Sequence, residues 1–419
     1  MTLRQKIVVT GMGVVSPIGI GKEPFWASLR EGRSGFRQLE AIEGLAPAMI
    51  GAPVADFDAK QYVRPRKSLK VMSREIQLGF AAADLALADS GLREKPADPE
   101  RIGVIFGASL LPCELEDVVG VYRGCIQDGR FNFDCWGKVA MSELFPLWML
   151  KYLPNMPACH IGISQDARGP NNTITLGDVS SLSAMAESVR VLERGQADVI
   201  IAGGVGSLLH PAMWIRSHIL GLSPRWEPPQ AVARPFDARR DGLADGEGSA
   251  SFVLETEQQA AARGATIAAR ILGCGSAFEP RRNNSHLKGD AIRRAMAAAL
   301  RDSEQTKEDI GVVVAHGLGT IEDDRIEAAA ICETLGDVPV TAAKGYFGYL
   351  GPACGILETA LAILALQHGQ VPTTLNYDEA DPLCPVNVVH GGLADLKADK
   401  AMVLSHSPHG HAVAIVLGK

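Results

Sequence analysis

The sequence has no paired cysteine motif, although it contains eight cysteines in 419 residues. They are scattered and none forms a CxxC pair, so neither a zinc site nor a disulfide framework is indicated. No run of about 18 uncharged apolar residues occurs, so we expect no membrane span. The N-terminal stretch IVVTGMGVV is too short and too interrupted by glycine to be a secretion signal. We therefore expect a soluble, cytoplasmic protein with reduced thiols.

The chain also has no excess of positive charge. Its formal net charge is −7, which gives no reason to expect nucleic-acid binding. With 47% hydrophobic residues and 44 glycines, it has the composition of a compact α/β protein. Its length allows one large domain or two medium ones.

Strand and helix patterns alternate along the whole chain. Apolar runs at residues 102–106 and 310–315 indicate strands that are covered on both faces. The same alternation begins again after residue 255. We therefore predict two related α/β units that share one core, residues 1–255 and 256–419. We also predict that the turn at 154–157 leads into a strand near 160–163.

One segment, GPNNTITLGDVSSLSA at residues 169–184, presents an acidic side chain where a strand turns into a helix. The pattern predicts a strand over 173–175, a break at Gly177 and a helix over 179–192. The residue at the start of the helix is Asp178. Free N–H groups at a helix N-terminus stabilise an anion by about 0.3–1 kcal/mol, so we expect Asp178 to be ionised and weakly basic.

Several motifs, in a fixed order, give the chain a family resemblance. They are VVTGMGVVSPIG at 8–19, PNMPACHI at 154–161, GPN at 169–171, ADVIIAGG at 197–204, RPFDARRDGLADGEG at 234–248 and AHG at 315–317. With this series the chain resembles the β-ketoacyl-acyl-carrier-protein synthases, the elongating condensing enzymes of the thiolase superfamily, over essentially its full length. The resemblance implies a thiolase-like, five-layered αβαβα duplication. It also implies a two-fold dimer, paired along the strand at about 173–175.

The resemblance assigns the family's reacting groups residue by residue. The acyl-carrying cysteine falls on Asp178, the first histidine on His316 and the second histidine on Tyr349, while the supporting lysine is kept as Lys344. No cysteine lies between residues 160 and 273, so a slipped alignment does not restore it. A carboxylate attacks thioesters poorly and would repel the malonyl carboxylate. We therefore expect no ordinary condensation by this chain alone.

The family's gate loop, rich in glycine and phenylalanine, is replaced here by HSPHGH at residues 406–411. The resemblance implies that some of His406, His409 and His411 face the cavity, and that Phe347 also belongs to it. Two histidines and a carboxylate could bind a metal. Hydrogen bonds to backbone and solvent are the favoured alternative, so no metal or cofactor is predicted.

Two further charged residues, Lys344 and Glu327, have two interpretations. They could tune His316, or they could belong to a buried ion pair that braces the two halves.

A basic run of four residues matches in place the patch with which the family binds acidic carrier protein. It comprises Arg64, Arg66, Lys67 and Lys70. An ordinary solvated face is the alternative interpretation.

Three functions remain open at this stage. The first is a non-condensing subunit similar to chain-length factors, which binds acyl chains and acyl carrier protein as a homodimer or as a heterodimer with an active ketosynthase. The second is a re-tooled enzyme on acyl thioesters (a hydrolase, decarboxylase or unusual acyltransferase) that uses Asp178 and His316. The third is a stand-alone protein that binds lipid or carrier protein.

Overall fold

A computed structural model of the chain describes residues 5–40, 49–94, 97–109, 112–214, 221–225, 227–281 and 287–419. Ten strands form the body of one mixed sheet. Those of the first half are β1 (Ile7–Ser16), β2 (Ile102–Gly107), β3 (Asn171–Ile174), β4 (Val199–Ser207) and β5 (Glu247–Thr256). Those of the second half are β6 (Ala269–Phe278), β7 (Val312–Ala315), β8 (Pro339–Ala342), β9 (Lys400–His406) and β10 (His411–Gly418).

The remaining elements are helices and short strands. The helices are Lys22–Glu31, Arg74–Ser90, Leu115–Gly124, Trp136–Glu143, Met156–Ser164, Ser180–Glu193, Pro211–Trp214, Glu257–Arg263, Asp290–Ser303, Ile321–Leu335, Lys344–Phe347 and Cys354–His368. The short strands are Gly19–Ile20, Arg37–Leu39, Met49–Gly51, Ile126–Gln127, Arg130–Phe131, Gln370–Val371, Asn387–Val388 and Ala394–Asp395.

The two halves repeat one strand order. The first half runs β1-β5-β4-β2-β3 across the sheet and the second runs β6-β10-β9-β7-β8. In both halves the first three strands are antiparallel neighbours and the last three are parallel. An antiparallel contact between β1 and β6 joins the halves. On this repeat we continue to propose the division into units 1–255 and 256–419.

Glycines in β1 and β6 show the same repeat in the way each strand packs against its outer helix. A Cβ on Gly13 would lie 2.0 Å from the carbonyl oxygen of Ala82, and a Cβ on Gly275 would lie 2.0 Å from that of Ala295. Each glycine therefore lets its strand approach an alanine-rich outer helix more closely than any side chain would permit.

Helices and strands stack in five layers. Helix Arg74–Ser90 covers the outer side of the first half, and helix Asp290–Ser303 covers that of the second. Helices Ser180–Glu193 and Cys354–His368 pack against each other and against strands of both halves. Thirteen of the 15 residues of Cys354–His368 are buried, as expected for a helix in the central layer. The functional side chains lie at the ends of these central helices.

The structure confirms the helix predicted over 179–192, which runs from Ser180 to Glu193, and the strand before it, which is Asn171–Ile174. The strand predicted near 160–163 is wrong, because Met156–Ser164 is a helix. Pro157 lies in the first turn of this helix, where its missing N–H costs no hydrogen bond.

Candidate functional site

Asp178 lies in the turn that leads from β3 into the helix Ser180–Glu193. Gly177 has a φ of 61°, in the left-handed region that glycine adopts readily, and this lets the chain reverse direction. The Asp178 side chain faces inward and is only 4% exposed. Ser405, near the end of β9, donates its hydroxyl to the Asp178 carbonyl oxygen at 2.8 Å. Elements of both halves therefore fix this residue.

Tyr349 is the side-chain partner of Asp178, since its hydroxyl donates a hydrogen bond to Asp178 Oδ1. The Tyr349 backbone is also held: its N–H donates to the carbonyl of Ala244 at 2.7 Å, and its carbonyl accepts from Gly246 at 2.9 Å. Burial, together with the neighbouring Asp178, raises the pKa of Tyr349 well above its usual value, so the hydroxyl keeps its proton. The pair is a preformed hydrogen bond between the two halves.

The environment of Asp178 differs from the one expected for a helix N-terminus. Burial raises the pKa of Asp178, and the hydrogen bond from Tyr349 and the charge of His406 only partly oppose this. The expectation of a weakly basic carboxylate is therefore wrong. Loss of hydration disfavours the charged form more than the end of the helix favours it.

His316 follows β7 and is fully buried. Lys344 Nζ lies 3.5 Å from His316 Nδ1 and donates to the His316 carbonyl oxygen at 2.6 Å. Burial and the charge of Lys344 lower the pKa of His316 well below its usual value. The imidazole is therefore held as a neutral hydrogen-bonding group.

Lys344 and Glu327 belong to two different ion pairs, Lys344 with Glu358 and Glu327 with His406. Lys344 pairs with Glu358 on the central helix Cys354–His368, and both side chains are buried. Glu327 accepts the backbone N–H groups of His316 and Gly317, at 2.7 and 2.8 Å. All of these groups lie in the second half, so the predicted ion pair that braces the two halves is wrong. Glu327 binds the backbone of the turn that follows β7, and Lys344 pairs with Glu358.

His406, at the end of β9, is buried beside His316. The two rings are 4.9 Å apart between centroids, at an interplanar angle of 68°. His406 Nε2 also lies 3.5 Å from Glu327 Oε2, an ion-pair distance. Burial lowers the pKa of His406, but Glu327 and, to a lesser extent, Asp323 and Asp178 outweigh this effect and raise it overall.

The other predicted cavity residues are placed differently from His406. His409 is exposed, and the His411 ring contacts that of Phe278 at 4.7 Å between centroids. Phe347 is fully buried and stacks on Phe25, with ring centroids 6.3 Å apart. Among residues 406–411, which stand in place of the family's gate loop, only His406 affects the pKa of Asp178.

The four basic residues of the proposed carrier patch are exposed and lie on or next to the short 3₁₀ helix Arg66–Val71. They are Arg64, Arg66, Lys67 and Lys70. Arg64 binds the carbonyls of Lys60 and Val63. For the other three, no side-chain partner occurs among the described residues.

The sequence interpretation missed Glu358 and Ser405. Glu358 is the only acidic residue in the apolar helix CGILETALAILALQH. A lone carboxylate in such a helix indicates a buried partner, and that signal was available. Ser405 gave no signal, since its role is set by the packing of β9 against the Asp178 turn.

The described residues contain neither a metal-binding cluster nor a helix that could span a membrane. Within the described ranges, no group of three or more His, Cys, Asp or Glu side chains is arranged to hold a metal ion. None of the helices described is both long and apolar enough to cross a bilayer.

Comparison with known families assigns the chain. Residues 4–260 match the family described as beta-ketoacyl synthase, N-terminal domain, and residues 268–378 match its C-terminal domain. The chain belongs to the β-ketoacyl synthase family. The matched residues include the segments that carry Asp178, His316 and Tyr349, whereas strands β9 and β10 lie beyond residue 378.

Curated relatives from polyketide and fatty acid synthesis cover nearly the whole chain. The tetracenomycin polyketide synthase ketoacyl synthase alpha subunit of Streptomyces glaucescens is 31% identical over an alignment of 432 residues, gaps included. The alignment covers 99% of this chain and 97% of the relative. The 3-oxoacyl-[acyl-carrier-protein] synthase 2 of Coxiella burnetii is 29% identical over 425 residues, with 99% of both chains covered.

Solved ketosynthase structures confirm the predicted thiolase-like fold. The ishigamide ketosynthase/chain length factor is 27% identical, with a TM-score of 0.86 and 99% of both chains covered. A β-ketoacyl synthase from Burkholderia phymatum is 28% identical, with a TM-score of 0.87 and the same coverage. The type II polyketide synthase complex AntDE:AntF, an acyl-carrier protein with its ketosynthase, is 25% identical, with a TM-score of 0.83 and 99% of both chains covered.

Proposed function

We propose that this chain is a non-condensing member of the β-ketoacyl synthase family, which binds acyl chains and acyl carrier protein and works beside an active ketosynthase. The observation that carries the proposal is the buried hydrogen bond between Tyr349 and Asp178. Asp178 takes the family's cysteine position and Tyr349 takes that of the second histidine. These two positions are tied to each other, so neither group is free to attack a thioester.

The chemistry of the pair supports the proposal. A thiolate is the nucleophile that family members use to hold an acyl chain, and no thiol occurs between residues 160 and 273. An acyl-aspartate would be a mixed anhydride, which water hydrolyses readily. The Tyr349 hydroxyl cannot take up and release protons at neutral pH as an imidazole does.

Carrier and subunit contacts are proposed from the exposed surfaces. The basic patch formed by Arg64, Arg66, Lys67 and Lys70 would attract an acidic carrier protein. Strand β3 ends the sheet order on its side, so its outer edge is available for pairing with another subunit. Among the structural neighbours, AntDE:AntF is a carrier-protein complex and the ishigamide protein is a ketosynthase/chain length factor.

A second candidate function is a re-tooled enzyme that acts on acyl thioesters. The observation in its favour is that Asp178 has a raised pKa while His316 is neutral. A carboxyl with a raised pKa is a stronger base than an ordinary one, and a neutral imidazole keeps a lone pair that can accept a hydrogen bond. In this reading Asp178 is a general acid or base in hydrolysis or decarboxylation, and Tyr349 orients it.

The test offers malonyl- and acyl-carrier protein to the purified chain, alone and mixed with a cysteine-containing ketosynthase from the same source. We expect condensation only in the mixture. Condensation or self-acylation by this chain alone would refute the proposal. Release of free acid or carbon dioxide by the chain alone, lost in Asp178→Ala, would establish the second function instead. The control is Ser183→Ala, a half-buried position of the helix Ser180–Glu193, which should keep that activity. Carrier or lipid binding without any effect on the partner would indicate a stand-alone binding protein.

A further inference from the structure

Two cysteines meet where a short hairpin joins two helices, away from the Asp178 site. Cys125 directly follows the helix Leu115–Gly124. Cys135 directly precedes the helix Trp136–Glu143. Between them the chain forms an antiparallel hairpin over residues 126–131, and both thiols are free. The hairpin therefore brings the two cysteines back toward each other at its base.

Hydrogen bonds close the base of this hairpin. The Asn132 N–H donates to the carbonyl oxygen of Cys125 at 2.8 Å, and the Cys135 N–H donates to the carbonyl oxygen of Asn132 at 3.4 Å. The Gln127 side chain crosses the hairpin, since its Oε1 accepts from Asn132 Nδ2 at 2.8 Å. Its Nε2 donates to Cys135 Sγ at 3.0 Å. The Cys135 sulfur is thus held over the hairpin that starts at Cys125.

The two helices touch at the same point. A Cβ on Gly124, the residue before Cys125, would lie 2.6 Å from Val139 Cγ1. Val139 lies one helical turn after Cys135, and residues four apart share one face of a helix. The end of one helix and the start of the other are therefore in direct contact. A disulfide requires Cα atoms within about 7 Å of each other, and close contact of this kind is what it needs.

The two thiols differ in access. Cys125 is fully buried, whereas Cys135 is half-buried. Burial and, as a smaller effect, the neighbouring Cys135 raise the pKa of Cys125, so Cys125 keeps its proton at neutral pH. An external reagent therefore reaches Cys135 first, and Cys125 is in place to react second.

We propose that Cys125 and Cys135 are a redox-sensitive pair, which forms a disulfide across the base of the hairpin when the protein meets a small disulfide such as oxidised glutathione. The Cys135 thiolate attacks one sulfur of the small disulfide and displaces the first small thiol. The Cys125 sulfur loses its proton, attacks the Cys135 sulfur and displaces the second small thiol. The two protein thiols are oxidised, and the small disulfide is reduced to two thiols that take up the two protons.

The bond would fix an exposed aromatic cluster. Tyr122, on the first helix, meets Trp136, on the second, with ring centroids 5.0 Å apart at an interplanar angle of 72°. Phe133 stacks on Trp136 at 6.1 Å and is 71% exposed. A covalent link between the helix ends beside these rings makes the order of this surface depend on the redox state.

The test is a titration of the full chain in mixtures of reduced and oxidised glutathione. Each sample is quenched with acid, unfolded, alkylated, digested with trypsin and analysed by mass spectrometry. Trypsin cleaves after Arg123, Arg130 and Lys138, so the disulfide joins peptide 124–130 to peptide 131–138. The joined pair is lighter than the sum of the two peptides by two hydrogens. We expect this pair to appear in the wild type as the oxidised fraction of glutathione rises.

Variants assign the two roles. In Cys125→Ser the joined pair should be lost and Cys135 should carry glutathione instead, because no second thiol displaces it. Cys159→Ser is the matched control. Cys159 is also half-buried and accepts a side-chain amide, that of Asn155 at 3.4 Å, so its loss should leave the joined pair unchanged.

The wild-type measurement decides the proposal without any variant, so a variant that does not fold leaves the test intact. If no joined pair forms at any glutathione ratio, or if Cys135 of the wild type stays glutathionylated while Cys125 is alkylated, the proposal is wrong. Neither outcome involves acyl or carrier binding, so the proposed function would stand.

Discussion

The hydrogen bond between Tyr349 and Asp178 makes a prediction that can be measured without knowing the substrate. Tyr349→Phe removes one hydroxyl and leaves a buried carboxyl without its donor. A hydrogen bond to a charged group contributes about 1.5–3 kcal/mol, whereas one between neutral groups contributes about 0.5–1.5 kcal/mol. We therefore expect Tyr349→Phe to lower the free energy of unfolding by about 1.5–3 kcal/mol where Asp178 is ionised.

The loss should depend on pH, and its sign follows from the protonation of Asp178. The pKa of Asp178 is raised in the folded protein, and the Tyr349 hydrogen bond opposes that rise. Without the hydroxyl, the folded protein holds the Asp178 proton more tightly, so the pKa rises further. The cost of the mutation therefore grows as pH rises through the pKa of Asp178 and shrinks as pH falls below it.

Tyr346→Phe is the matched control for this experiment. Tyr346 is also fully buried, but its hydroxyl donates to two backbone carbonyls, those of Leu29 at 3.2 Å and Thr373 at 3.0 Å. Its loss should cost about 0.5–1.5 kcal/mol at every pH. The assay is urea unfolding of wild type and both variants at about pH 5.5 and about pH 8. Equal costs for the two variants at both pH values would refute the charge-assisted bond.

Two further predictions concern the buried ion pair and the carrier patch. Lys344→Met should lower the free energy of unfolding by about 3–5 kcal/mol, because it leaves the buried Glu358 without its partner. The control Lys400→Met breaks a surface ion pair with Asp399 and should lower it by less than about 1 kcal/mol. Since Glu358 has a raised pKa of about 7 and can take up a proton, the Lys344→Met loss should be larger at pH 8 than at pH 6; a loss independent of pH would contradict a charged Glu358. Reversing Lys67 and Lys70 to Glu should weaken carrier-protein binding and reduce its salt dependence, while Lys307→Glu, exposed on the other half, should not. Unchanged titrations of the double variant would refute the patch.

The fold was predictable because the pattern of strands and helices repeats and because most strands of the sheet are buried. The segment around Asp178 carried its own signals, a β-branched strand, a glycine and a small-residue helix, and the structure has them at Asn171–Ile174, Gly177 and Ser180–Glu193. The stretch at 156–164 failed because its apolar residues suit a short strand as well as a buried helix. Only the packing of Met156–Ser164 against Arg74–Ser90 and β2 decides between them.

The positions of the site residues were predictable, but their partnerships were not. The resemblance identified Asp178, His316, Tyr349 and Lys344, and motif spacing cannot say which of them touch. The hydrogen bond from Tyr349 to Asp178 joins residues 171 apart in sequence. Only the packing of the two halves creates such a contact.

The charge of Asp178 shows why local sequence misjudges a site of this kind, and why the functional conclusion survives the error. The N-terminus of a helix stabilises an anion by about 0.3–1 kcal/mol, which corresponds to less than one pKa unit. Full burial raises the pKa of a carboxyl group by up to about 3–5 units. Burial therefore wins, and Asp178 lies nearer to its protonated form than its place in the sequence suggests. If it is protonated it has no nucleophilic oxygen anion, and if it is ionised it is a weak nucleophile that Tyr349 already binds. Neither form can replace a thiolate, so the proposal of a non-condensing subunit does not depend on which form is present.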